Sequence, residues 1–291
     1  MDRLKLLNNI IRNSVSTPDS RYISLCENIV KYDRLIYQEE KNSNIQDTIN
    51  IVKEILDRIN PKYREMFEGA LDEESDSYPV IYIYPSNSSL EENESITWYN
   101  ELSFYKRNKI SDVYLLIHEF VHLLTNLDLE QFERIKYDHS LREIPSILSE
   151  FYIADYLEID DGNYMKHRFN TLRKDAISYL IKNKLFELYN KNMLSDENLT
   201  SYLESIGLSS EDIDLAYEDL LHDRSLNNQE ELKYIIGYLY GYKLYDLGYS
   251  LDELINEYRS NNIHLPKIEY EEQLSIIDNS YEKIAEVQKK K

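Results

Sequence analysis

The chain has 291 residues with 33 basic and 54 acidic side chains, a net charge of −21, 42% apolar residues and only 6 glycines and 6 prolines. Such a charge lacks the positive face that nucleic acid or an anionic membrane needs, and the shortage of turn formers favours long helices over turn-rich β architecture. A single cysteine, Cys26, excludes an intrachain disulfide and fits a reducing compartment; with no secretory h-region and no membrane-length apolar run, a cytoplasmic protein is expected.

Residues 1–75 read as helical throughout. Over Asn44–Met66 the apolar residues recur at helical spacing (Ile45, Ile49, Val52, Ile55, Leu56, Ile59), and Pro61 breaks the pattern. The acidic run 72–77 reads as a loop. Then the texture changes: VIYIYP at 80–85 is a β-branched and aromatic run of strand length, closed by the turn formers PSNSS. ITWYNELSFYK at 96–106 reads as a second extended segment, whose edge could pair with a peptide through Tyr99, Asn100 and Glu101. From Asp112 to Asn126 the chain is helical and almost wholly apolar. Further helices are expected over 141–157, 164–192, 197–205, 210–222, 229–247, 250–260 and 269–290, with a frayed VQKKK tail. The expected organisation is an N-terminal helical region, 1–75, continuous with a second region, 76–291, that carries the chemistry.

That chemistry sits in DVYLLIHEFVHLL. Tyr114, Leu115, Leu116, Ile117, Phe120, Val121, Leu123 and Leu124 mark a helix buried nearly all round. Burying two imidazoles and a carboxylate there is costly unless something pairs with them. His118 and His122 stand four apart and project from one face about a turn apart, which suits two ligands of one tetrahedral zinc ion. Glu119 adjoins the first of them and is placed to act as general base toward an activated water. A catalytic zinc needs a third protein ligand, and Asn126 and Leu129 stand where an HExxHxxGxxH pattern would want Gly and His. The third ligand must therefore come from another helix. In SLREIPSILSEFY, Glu143 and Glu150 are seven apart and share a helix face; one could bind zinc while the other orients a histidine or holds the helix, and His139 is a weaker candidate.

HEFVH followed by EIPSILSE resembles the thimet oligopeptidase and oligoendopeptidase F family of gluzincin zinc peptidases, whose pattern is HEFGH, a spacer, then ExPSxxxE. The resemblance implies a mainly α, zincin-like helical metallopeptidase fold with a small β element before the HExxH helix, and cleavage of short peptides. It maps the third zinc ligand onto Glu143 and a supporting residue onto Glu150. Family tyrosines on a late helix, hydrogen-bond donors to the scissile carbonyl, have counterparts in YIIGYLYGYKL, where Tyr234, Tyr238 and Tyr242 recur every fourth residue; Tyr238 and Tyr234 are the candidates, Tyr238 first. Val121 replaces the family glycine, the spacer from His122 to Glu143 is short, and Asn228 or Gln229 stands where the family carries a histidine. The expected function is thus hydrolysis of short peptides with one zinc ion held by His118, His122 and Glu143 and with Glu119 as base. The alternative is a catalytically inactive protein on the same scaffold that binds peptide or partner.

Overall fold

A computed structural model describes residues 11, 17–38, 40–72, 79–85, 96–98, 100–126, 139–157, 162–223 and 228–286. The described chain is mainly helical with one small sheet. Its helices are α1 (Ile23–Ile29), α2 (Ile45–Ile59), α3 (Pro61–Ala70), α4 (Ser111–Asn126), α5 (Ile144–Tyr156), α6 (Asn163–Asn190), α7 (Asp196–Ser205), α8 (Ser210–Asp223), α9 (Gln229–Asp246), α10 (Leu251–Arg259) and α11 (Tyr270–Glu286). No helix among the described residues is long and apolar enough to cross a membrane.

The N-terminal region departs from continuous helix. Between α1 and α2 the chain runs irregularly, because side chains of α6 take over its backbone hydrogen bonds. The Asn170 amide pairs with both the N–H and the carbonyl of Leu35, at 2.9 and 2.8 Å, and Arg173 Nε donates to Tyr32 O at 3.0 Å. The segment is largely exposed apart from buried Leu35, and backbone groups satisfied in this way need not be helical. Asn44 caps α2 by accepting from Asp47 N–H. Asn60 ends that helix and caps α3, whose first residue is Pro61, so the proline breaks one helix and begins the next.

The sheet has three strands, not two: β1 (Val80–Pro85), β2 (Ile96–Trp98) and β3 (Glu101–Lys106), in the order β1-β3-β2. β1 lies parallel to β3 with Val80 opposite Glu101, and β2 is antiparallel with Ile96 opposite Ser103. The run 96–106 is therefore two strands of a hairpin that turns at Asn100, with β2 as the edge. Tyr99 and most of the expected loop and turn at 72–77 and 85–89 lie outside the described residues, as does the VQKKK tail.

β3 leads directly into α4. The Asp112 carboxylate accepts N–H bonds from Arg107 and Asn108, and Asn108 adopts φ 57°, the left-handed region that reverses the chain. Burial pushes the Asp112 carboxyl above its ordinary value despite those donors. From Ser111 to Thr125 every residue of α4 is buried except Leu115 and Glu119. It packs on α2, α5, α10 and the sheet, and α5 packs in turn on α9.

Two glycines set the approach of α9 to α5. A Cβ on Gly237 would lie 2.6 Å from Ile147 Cδ1 and 2.8 Å from Glu143 Cβ. One on Gly241 would lie 3.2 Å from the backbone nitrogen of Leu148. A methyl at Gly237 would overlap α5, and one at Gly241 would need α5 to give by a few tenths of an ångström.

Candidate metal centre

The centre is built where α4, the start of α5, and α9 meet. His118 and His122 point from one face of α4, their ring centroids 4.9 Å apart. A 3-10 turn at His139–Leu141 precedes α5, and Tyr258 of α10 donates from its hydroxyl to Leu141 O at 2.8 Å. The next residues deliver Glu143 as the N-cap of α5, with Pro145 in the first turn. Glu143 Oε2 lies 3.2 Å from His118 Nε2 and 3.2 Å from His122 Nε2. The three candidate ligand atoms fall within 4.8 Å of one another. All three residues are buried, at 8%, 4% and 2% exposure for His118, His122 and Glu143.

Glu150, two turns further along α5, does not join that trio. Its Oε1 is 2.7 Å from His118 Nδ1, and its Oε2 is 3.1 Å from Arg168 Nε of α6. A carboxylate beside Nδ1 favours a proton there, so that once the ring gives up its second proton the Nε2 lone pair would be free for a metal ion. Burial alone would push the His118 imidazole down, but its hydrogen bonds to the Glu143 and Glu150 carboxylates and their two charges hold it up at about 10. Burial likewise pushes Glu143 up, and the His122 charge and both imidazole hydrogen bonds outweigh it, holding Glu143 well below the carboxylate range. These groups compete for protons that a cation would replace.

The donor set fits a metal ion. Two imidazole nitrogens and a carboxylate oxygen converge, and the two 3.2 Å separations match the roughly 3.3 Å edge of a tetrahedron with bonds of about 2.0 Å. The second oxygen, Oε1 of Glu143, lies 3.6 Å from Lys233 Nζ, which also pairs with Glu230 at 2.6 Å. Lys233 thus favours coordination through Oε2 alone.

No protein-family model matches the chain, and no curated protein does. Among solved structures, a protein from Chlamydophila abortus described as a "putative peptidase" matches with a TM-score of 0.49 and 14% identity, over 98% of this chain and 55% of that one. The chain spans about half the length of that protein. So faint a likeness assigns neither family nor activity.

Glu119 is the half-buried residue next to the trio, and with Leu115, His118, Glu150, Arg168 and Tyr234 it lines a cavity of about 370 Å³. Its carboxylate is held by a residue that the sequence did not single out. Thr97, in edge strand β2, places its hydroxyl 2.7 Å from Glu119 Oε2 and 2.9 Å from the Glu119 carbonyl oxygen. The signal was faint, since one threonine in a strand does not announce a contact with a helix 22 residues on. Of the late-helix tyrosines, Tyr234 lines the cavity. Tyr238 is fully buried, with its ring edge-on to Phe151 and Phe169, and is not part of the cavity wall. Sharing a helix face was not enough to bring both to the site, because α9 is buried on nearly every side. Asn228 is committed elsewhere, its amide bonded to the backbone N–H and carbonyl of Asp19. His139 lies in the 3-10 turn, and its side chain is outside the description.

Proposed function

We propose that this protein is a zinc-dependent peptidase that hydrolyses short peptides. The observation that carries the reading is the convergence of His118 Nε2, His122 Nε2 and Glu143 Oε2 beside a cavity that the adjacent, half-buried Glu119 also lines. Two nitrogens, one oxygen and tetrahedral spacing suit zinc among the common divalent ions. When bound, zinc polarises the scissile carbonyl and acidifies water at its open position.

The chain's own groups do the rest. Glu119 accepts the proton from the attacking water and delivers it to the leaving amine. Thr97 keeps one Glu119 oxygen engaged, so the other is left for the proton. Burial first, and then the negative charge of Glu143, push the Tyr234 phenol well above its ordinary value. It therefore stays protonated and is placed to donate to the carbonyl oxygen as negative charge develops there, the role that the family resemblance implies for Tyr234 or Tyr238. Glu150 keeps His118 oriented through Nδ1. This assignment of Glu143 as ligand and Glu150 as support follows the motif resemblance to the thimet oligopeptidase and oligoendopeptidase F family.

The test combines metal analysis with cleavage of a quenched-fluorescent peptide library, with and without chelator. One zinc per chain and chelator-sensitive cleavage are expected. Glu119→Gln should keep the metal and lose turnover by about a hundredfold or more. Cleavage by Glu119→Gln at the parent rate would sink the mechanism. Zinc without cleavage of any member would favour the inactive, peptide-binding alternative.

A further inference from the structure

One wall of the cavity is a single stripe of α6. Tyr164, His167, Arg168, Thr171, Lys174 and Asp175 follow one another at intervals of three, one, three, three and one, so a polar helix face is turned toward the metal centre. In a chain of net charge −21, this wall carries two full cations, and Arg107 from the loop before α4 adds a third. The acids that share the cavity are engaged or partly neutralised. Glu150 is spent on His118 and Arg168, Glu119 on Thr97, and Glu40 accepts from Ser111 Oγ at 2.6 Å. Burial pushes the Asp175 carboxyl up to about 7.

Among the cations that line the cavity, Arg168 is linked to the centre through one carboxylate, Glu150, which also meets His118. Its guanidinium stands 5.3 Å from the Tyr234 ring centroid, which holds the plane in place. Its Nε stands 3.1 Å from Glu150 Oε2 as an ion-pair contact, and Nη2 is buried with no hydrogen-bond acceptor among the described residues. A buried guanidinium N–H without an acceptor is an unmet demand, and a carboxylate meets it with matching planar geometry. The volume of about 370 Å³ lies at the small end for ligand pockets, suited to a chain end and not to a long run of peptide.

We propose that Arg168 receives the free C-terminal carboxylate of a short peptide, so that the enzyme removes one or two residues from the C-terminus. This rests on the peptidase reading and names its substrate class. The test uses the quenched-peptide library prepared as paired free acids and C-terminal amides, with internal Glu and Gln variants. The holoenzyme should prefer the acids by about tenfold or more in kcat/KM, mostly through KM, and cut within two residues of the C-terminus. Arg168→Met should erase the preference, and Arg168→Lys, which keeps a cation beside Glu150, should retain part of it. Equal rates for acids and amides, a preference that survives Arg168→Met, or one that follows internal Glu and not the C-terminus would each overturn the assignment. If no peptide is cleaved, the hydrolysis reading fails on its own. The subsite is then decided by calorimetric titration of the zinc-loaded protein with N-acetyl dipeptides. Binding of the acid alone, lost in Arg168→Met, supports it; equal or absent binding of acid and amide overturns it.

Discussion

At the residue scale, the centre is a set of polar groups that would be intolerable in an apolar core if each stood alone. Removing two imidazoles and two carboxylates from water costs several kcal/mol per charge unless they satisfy one another or a cation. Here each is placed against a partner at 2.7 to 3.2 Å. Thr97 belongs to the same economy of contacts. Its hydroxyl has one hydrogen and two Glu119 oxygens within reach, the carboxylate at 2.7 Å and the carbonyl at 2.9 Å. We expect Thr97→Val to lower kcat about tenfold with KM and zinc content little changed, and Thr97→Ser to restore most of the loss. Equal kcat in all three proteins would show that the hydroxyl does not position the base. The HExxH residues were legible because their spacing and apolar setting conflict with an ordinary core helix. Thr97 and Arg168 were not legible, since their meaning comes from contacts with distant segments.

At the element scale, the position of Glu143 depends on how closely α9 lies on α5. Gly237 permits the approach: its missing Cβ would be 2.8 Å from Glu143 Cβ and 2.6 Å from Ile147 Cδ1. Alanine in a helix normally gains about 1 kcal/mol over glycine. Overpacking against a ligand-bearing helix costs about 1–3 kcal/mol and here also moves Glu143. Gly237→Ala is therefore expected to lower the denaturant midpoint and weaken zinc affinity at least tenfold, read by competition with a chromophoric chelator. An unchanged midpoint together with unchanged affinity would contradict the packing. The sequence displays a glycine in a tyrosine-rich helix, yet nothing local says which neighbour requires it. The same limit explains the hairpin: ITWYNELSFYK is uniformly strand-like by composition, and the reversal at Asn100 serves to put β2 at the edge against α4.

At the scale of the whole molecule, the helices around the centre are held by anchors far from it. Asp212 of α8 accepts both Arg173 Nη1 and Nη2, at 3.0 and 2.9 Å, and Arg34 Nη2 at 2.6 Å, tying α8 to α6 and to the irregular segment before α2. Burial pushes this carboxyl up, but the Arg173 hydrogen bonds and charge outweigh it and hold it at about 2, against 3.8 ordinarily. A depressed carboxylate pKa contributes stability that is fully present above about pH 4 and lost as pH falls from there through about 2. The contribution is roughly 1–2 kcal/mol. Asp212→Asn should thus be less stable than the parent at pH 7, and the gap should close between pH 4 and 2, followed by urea melts across that range. A gap independent of pH would mean that the charge is not what holds α8.

By itself, the sequence determined the mainly helical class, the strand-like run before the key helix, and the two histidines and glutamate of α4, because periodicity and local spacing act over a few residues. It also narrowed the candidates for a third ligand to Glu143 and Glu150, with His139 as a weaker one. Only the tertiary structure decided how those carboxylates divide, with Glu143 facing both Nε2 atoms and Glu150 behind Nδ1. It alone placed Tyr234 at the cavity and Tyr238 in the core, and brought Thr97 and Arg168 to the site. The reason is physical: a helix face specifies a direction, but which neighbour fills that direction depends on how closely distant helices can pack, and here two glycines set the distance.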